Sequence, residues 1–377
     1  MIMQRIIRYA VVGLGYIAQN AVLPAFRNTK RSLLTALISG DEKKLKVLGR
    51  KYRVRNLFSY EDYDQALRSG LFDAVYIALP NDMHAEYTIR AANAGIAVLC
   101  EKPMAVNSKE CLEMISTCEK NHMPLMIAYR LHFEKTNLTA IQMACDKKTL
   151  GDLRFFQSMH SQLSVNHNIR TLPIARGGGP TFDIGVYDIN AARYLFRDEP
   201  ISVSAQSANG GNPAFKSIEE SMSVILRFPG ERLASIVYSF GAVETDTYRI
   251  AGTKGELSVD PAYTYHGSKT LRYSHAGGAS RSRVFKARDQ FSPEIDYFSK
   301  CVIENKVIEP SGWEGFADIR IIEAILKSAQ TGEQVGLPEF TRRDRPELFL
   351  EKARPPVPPV EVERVYHSRA PSKKKAA

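Results

Sequence analysis

Three groups of residues in this chain have types and spacings suited to chemistry. The first is Lys102, at the end of the run Ala97-Val98-Leu99-Cys100-Glu101-Lys102-Pro103. Lysines are ordinarily solvated, but one delivered by a buried strand, with Pro103 fixing the backbone beyond it, carries an ammonium to where a ligand binds. The second is Asp183 and Tyr187, four apart after Gly177-Gly178-Gly179, so that a carboxylate and a phenol share one helical face. A purely local reading stands beside it: Asp183 as a partner for the helix dipole and Tyr187 as a half-buried aromatic. The third is Gly13-Leu14-Gly15-Tyr16-Ile17-Ala18, directly after an apolar run. In such a Gly-x-Gly-x-x-Ala turn the first glycine permits a tight bend and the second lets backbone approach a pyrophosphate. The small Ala18 lets the following helix pack on the strand and aim its N–H groups at the anion.

These groups need a frame that brings them to one place. Apolar runs at 6–12, 33–38, 72–79, 97–100 and 125–129 alternate with helical patterns at 17–26, 42–52, 84–95 and 108–121. That alternation predicts a doubly wound parallel sheet whose ligands lie beyond the carboxyl ends of its strands. The loops at 13–18, 39–44, 79–84, 101–103 and 129–132 then open on one edge. At 39–44 the adenosine ribose is read. Asp41 would accept from both ribose hydroxyls of NAD, whereas Ser39, Lys43 and Lys44 offer a hydroxyl and cations for the 2′-phosphate of NADP. We take NADP, on the supposition that Asp41 turns outward. His84, in the first turn of a helix, either lines a nicotinamide pocket or serves a local hydrogen-bond network.

From residue 129 onward the pattern changes. Strand-like runs at 155–160, 201–207, 221–228, 233–241, 247–251 and 256–259 are separated by turns such as Pro229-Gly230. They predict a mostly antiparallel sheet in an α+β second domain, one face of which is left uncovered and favours a homodimer or homotetramer. Helical patterns return at 293–303 and 315–329. The resulting division is 1–128, 129–340 and a proline-rich, basic tail at 341–377.

The chain has 377 residues, 44% of them hydrophobic, which suits two folded domains. Its formal charge of +10 gathers partly at the ends, in Arg5, Arg8, Arg342, Arg343, Arg345 and Lys373 to Lys375. No nucleic-acid motif accompanies these residues; the field favours an anionic small ligand. The five cysteines (Cys100, Cys111, Cys118, Cys145, Cys301) have neither metal-ligand nor redox-pair spacing, so no metal site is expected and the thiols are those of a reduced, cytoplasmic protein. No secretory leader and no membrane span are expected.

Lys102 in Glu-Lys-Pro, the opening Gly-x-Gly-x-x-Ala and the triple glycine before Asp183-x-x-x-Tyr187 together resemble the Gfo/Idh/MocA oxidoreductase family, over about residues 6–340. Tyr129-Arg130-Leu131-His132-Phe133-Glu134 and Arg193-Tyr194-Leu195 are similar to its glucose-fructose oxidoreductase branch. The resemblance implies an N-terminal Rossmann domain, a C-terminal open-faced sheet and an NADP-linked reaction at a sugar carbinol or carbonyl. It implies Lys102, Asp183 and Tyr187 as the catalytic group. It places Gly13, Gly15, Tyr16 and Ile17 at the pyrophosphate, and Ser39, Gly40 and Lys44 at the adenosine ribose phosphate. Leu79, Pro80, Asn81, His84, Glu101, Lys102 and Arg130 then surround the nicotinamide. Tyr187, where many relatives carry histidine, points away from members like inositol dehydrogenase. The sugar-to-sugar branch carries an N-terminal arm over its cofactor; few residues precede the first strand here, so an exchanging cofactor is expected. A non-catalytic regulator of the same fold, or a dihydrodiol or anhydro-sugar dehydrogenase, remains the alternative.

In this setting Tyr187 handles the proton of the substrate hydroxyl. Bringing a phenol from a pKa near 10 to neutrality requires about 3 units, roughly 4 kcal/mol, and one ammonium at about 4 Å with an effective dielectric near 20 supplies as much. Lys102 is that cation, or itself the proton carrier. Asp183 would orient a sugar hydroxyl or Lys102.

Overall fold

Six strands, β1 (Ile7–Val12), β2 (Ser32–Ile38), β3 (Asn56–Phe58), β4 (Ala74–Ile77), β5 (Ala97–Glu101) and β6 (Leu125–Ala128), pair in parallel in the order β3-β2-β1-β4-β5-β6. The computed structural model describes residues 5–164, 168–341 and 345–363. The side chains of β1, β4 and β5 are almost wholly buried, as a parallel sheet covered on both faces requires. The helix Glu42–Tyr52 begins where expected, because the Asp41 carboxylate caps it by accepting from the backbone N–H of Lys44. The first helical segment is less regular than its sequence pattern: a π-helical turn at Ala18–Val22 passes into Leu23–Ala25 and a 3-10 turn at Phe26–Asn28.

The second sheet contains β7 (Leu153–Ser161), β8 (Ser202–Ala208), β9 (Ser221–Phe228), β10 (Arg232–Ser239), β11 (Thr245–Gly252), β12 (Gly255–Asp260), β13 (Lys269–His275), β14 (Arg281–Phe285) and β15 (Val335–Gly336), in the order β14-β13-β12-β11-β7-β10-β9-β8-β15. All its pairs are antiparallel except β10 with β7. One face packs against the segment from Thr181 to Phe196. Gly185 makes that contact close, since a Cβ there would stand 2.7 Å from the ring of Tyr238. The opposite face exposes Phe155, Met159, Ile225, Leu233 and Val237, each 39–51% accessible.

The helix Val186–Phe196 is fixed from below by ionic contacts. Arg193 is fully buried and donates to Glu199 at 2.8 Å, Glu314 at 2.7 Å and Asp318 at 2.6 Å. Glu314 and Asp318 lie four apart on the helix Gly312–Thr331, and Tyr129, just past β6, donates to Asp318 at 2.6 Å. This network ties the end of the first sheet to the helix that carries Tyr187. Removing the cation would strand buried carboxylates. The variant Arg193→Met is expected to lose about 3–5 kcal/mol of stability, read as a shift in the urea unfolding midpoint.

Candidate functional site

The glycine turn after β1 is built as its residue types require. Gly13 has φ of +91°, and a Cβ at that position would stand 2.4 Å from the carbonyl oxygen of Ala78. A side chain is excluded there on both counts. At Gly15 a Cβ would meet nothing within 4 Å, so the space over the helix N-terminus is open, as a pyrophosphate needs. Tyr16, in the turn, is 53% exposed. At the end of β2, Ser39 and Lys44 are both buried, and Gly40 lies under the ring of Tyr60. Asp41 does not turn outward as supposed. It folds back on its own helix, with Oδ1 accepting from Lys44 N and Oδ2 3.8 Å from the Lys44 ammonium. The carboxylate is spent on the helix cap. The open space at Gly15 and this diverted carboxylate fit a dinucleotide bearing a 2′-phosphate.

Several of the residues expected around the nicotinamide have other employment. His84 is fully buried, with Nδ1 2.9 Å from Pro103 O and Nε2 2.9 Å from Leu79 O, so it holds two loops together rather than facing a ligand. Burial pushes its pKa down, against the pull of those carbonyl oxygens. The Asn81 amide donates to Gly177 O at 2.7 Å, and Arg176 reaches the neighbouring Asp82 at 2.6 Å; both contacts dock the triple-glycine loop on the first domain. Glu101 turns beneath the sheet and accepts from Tyr76 at 2.8 Å, its pKa raised by burial with Lys102 opposing. Leu79 is buried and Pro80 half-buried.

Lys102, Asp183 and Tyr187 do meet. The Lys102 ammonium donates to the main-chain oxygen of Asp183 at 2.8 Å and lies 4.3 Å from the centroid of the Tyr187 ring. Its distance to the Asp183 carboxylate is 3.9 Å. Asp183 thus fixes Lys102 through its carbonyl, while its Oδ2 accepts from Arg170 at 2.9 Å and Gln162 at 3.3 Å. Arg130 supplies a second cation to Tyr187, its guanidinium 4.8 Å from the ring centroid. That fork is anchored to Gln290 at 2.8 Å and to Tyr263 O at 2.6 Å. Burial alone would lower the pKa of Arg130, but Tyr187, Tyr265 and Glu101 raise it overall.

Behind Tyr187 stands a set that sequence reasoning missed. Along β7 and just past its end, Ser158, His160 and Gln162 lie at every second position and meet the segment Thr181–Phe196. Ser158 donates to Asp188, His160 Nδ1 lies 3.2 Å from Asp188 Oδ2, and Gln162 meets Asp183. The His160 ring stacks on Tyr263 at 4.9 Å and stands 6.2 Å from Tyr187. The period-two spacing of polar residues on an inward strand face was the signal available. Arg170 gave none, because a loop residue's partner is decided by how the loop folds.

Model matches place residues 7–129 in the oxidoreductase family with an NAD-binding Rossmann fold and residues 138–258 in the GFO/IDH/MocA C-terminal domain. The D-xylose 1-dehydrogenase [NADP(+)] of Haloarcula marismortui is 28% identical over 347 residues, spanning 88% of this chain and 93% of that protein. The crystal structure of the aldose-aldose oxidoreductase from Caulobacter crescentus, complexed with glycerol, superposes with a TM-score of 0.84 at 36% identity, over 88% of this chain and 100% of that one. The 3-ketoreductase KijD10 of Actinomadura kijaniata, solved with NADP and TDP-benzene, shares the fold at a TM-score of 0.78 and 22% identity, over 86% and 98% of the two chains.

Next to Arg130 and Glu101 lies Glu294, fully buried, with neither carboxylate oxygen hydrogen-bonded among the described residues. Its pKa is pushed well above the ordinary 4.5, first by burial and then by Glu101, with Arg130 opposing. The folded chain therefore keeps a proton that the unfolded chain releases. The stability linked to that proton is complete below the unfolded value and is lost as pH rises toward the folded one. Glu294→Gln keeps the neutral shape without the titration. Its urea midpoint, measured at about pH 5 and about pH 8, is expected to fall less between the two than that of the wild type.

Proposed function

The chain belongs to the Gfo/Idh/MocA oxidoreductase family, and from that premise we propose that it is an NADP-dependent oxidoreductase acting on a carbinol or carbonyl of a sugar. Relatives named as a xylose dehydrogenase and an aldose-aldose oxidoreductase support an enzyme over the non-catalytic regulator. When bound, NADP supplies or accepts the hydride at C4 of its nicotinamide. Gly13, Gly15, Tyr16 and Ile17 would hold the pyrophosphate, and Ser39, Gly40 and Lys44 the phosphorylated ribose.

The observation that carries the catalytic reading is the contact of Lys102, from the first domain, with the ring of Tyr187 in the second, at 4.3 Å. As the phenolate, Tyr187 takes the proton of a sugar hydroxyl as hydride leaves the carbon, and as the phenol it returns that proton in the reverse direction. Lys102 and Arg130, 4.3 and 4.8 Å from the centre of its ring, stabilise the phenolate present before oxidation and after reduction. Two fixed cations do this without reorganising at the moment of reaction. The Asp183 carboxylate, 24% exposed and oriented by Arg170 and Gln162, accepts from a neighbouring sugar hydroxyl.

The exposed row Phe155, Met159, Ile225, Leu233 and Val237 would be covered by the same face of a second copy, giving a homodimer. Among the described residues no helix is long and apolar enough to cross a membrane.

Two measurements follow from this reading. Tyr187→Phe is expected to bind NADPH as the wild type does while kcat on the best aldose falls by about 10²–10⁴; near-normal turnover would remove the phenol from the mechanism and leave Lys102 as the proton carrier. Val237→Arg is expected to convert a dimer to a monomer in sedimentation velocity with the fold intact, whereas a wild-type monomer would end the dimer proposal.

A further inference from the structure

The segment after Leu350 is extended, yet it follows a defined path, past the start of the helix Phe291–Glu304 and onto the first domain. Glu351 pairs with Arg288, and the Asp289 N–H donates to Arg354 O at 3.3 Å. Arg354 donates to Asn28 O at 3.1 Å and reaches Asp296 at 3.4 Å, while Asn28 donates to Pro355 O at 3.1 Å. Farther on, Lys51 donates to Glu361 O at 3.4 Å. The path ends at Gln19: Glu363 N donates to Gln19 Oε1 at 2.9 Å, and Gln19 Nε2 donates back to Glu363 O at 3.3 Å. From Pro355 to Glu363 the segment has thus travelled back along the first helical segment, from Asn28 to Gln19.

Gln19 is no ordinary anchor. It is buried, and the same Nε2 that meets Glu363 also donates to Leu14 O at 2.9 Å, inside the glycine turn. Its neighbour Asn20 is held from the other side, donating to Tyr265 at 2.9 Å and to Tyr16 at 3.3 Å. The turn that would carry the dinucleotide is therefore braced by both the second domain and the C-terminal segment. Pro355, Pro356, Pro358 and Pro359 keep that segment extended before it docks, which lowers the entropy lost on docking.

We infer that residues 351–363 form an arm that braces the dinucleotide turn through Gln19 and slows release of bound NADP. The inference rests on the reading of the turn as an NADP site, and it revises the expectation of free exchange drawn from the short N-terminal lead. An arm arriving from the C-terminal end does the bracing instead.

The test measures release of NADPH from the loaded protein by stopped-flow fluorescence, with excess NADP+ as the displacing ligand. Four proteins are compared: the full chain, a chain ended after Pro356, a chain ended after Glu363, and Glu363→Pro, which removes one of the two hydrogen bonds to Gln19 and leaves the turn itself untouched. The chain ended after Pro356 is expected to release NADPH on the order of ten-fold faster than the full chain, and Glu363→Pro a few-fold faster. The chain ended after Glu363 is expected to match the full chain. Equal rates in the full chain, the Pro356-ended chain and Glu363→Pro would overturn the arm. So would a Glu363-ended chain as fast as the Pro356-ended one, because the effect would then belong to the residues beyond. Should the Pro356-ended chain fail to fold, Glu363→Pro alone decides. A full chain that binds no NADPH would instead overturn the functional reading of the turn, and the arm with it.

Discussion

The site depends on one cation held between two domains. The Lys102 ammonium is delivered by the end of β5, yet its hydrogen bond goes to the backbone of Asp183 and its charge rests on the ring of Tyr187. A main-chain carbonyl is a well-placed acceptor here because it leaves the ammonium's charge uncancelled, whereas a carboxylate at the same distance would neutralise it. The carboxylate of Asp183 instead sits 3.9 Å away and is engaged by Arg170 and Gln162. In the proposed mechanism that charge is available to the phenolate of Tyr187. The contact also requires the two domains to sit in one relation, which explains how much of the polar chemistry nearby serves docking.

That docking is done by groups of modest reach. Arg176 with Asp82 and Asn81 with Gly177 join the triple-glycine loop to the first domain. His84 joins the Leu79 and Pro103 carbonyls within the first domain, so the strand end bearing Lys102 and the loop bearing Asn81 move together. Below, Arg193 and its carboxylates lock the Tyr187 helix to the long helix Gly312–Thr331. Buried charge pairs of this kind add little net stability but are costly to break, so they select one arrangement over its neighbours.

Around Tyr187 the positive charges of Lys102 and Arg130 face a reserve of buried acids, Glu101, Glu294 and Asp188, each with a raised pKa caused first by burial. The low-dielectric surroundings that raise those values also strengthen the field of the two cations on the phenol.

Local pattern was enough for the parts whose physics is local. The glycine turn and the helix Glu42–Tyr52 follow from steric allowance and helical spacing, which act over a few residues. The alternation of strands and helices likewise specified the parallel sheet and the edge where its loops gather. The strands β13 and β14 escaped notice because most of their residues, such as Arg272, Arg281 and Arg283, are polar, and at this sheet margin burial reaches only Lys269, Leu271 and Phe285. The parallel pairing of β10 with β7, the turning of Glu101 under the sheet, the second cation at Arg130, the row Ser158, His160 and Gln162 against the acids of the next helix, and the arm on Gln19 were decided only in three dimensions. Each joins residues tens to hundreds of positions apart, and nothing within either segment encodes its partner; the choice is made by which buried polar groups the packed domains leave to be satisfied.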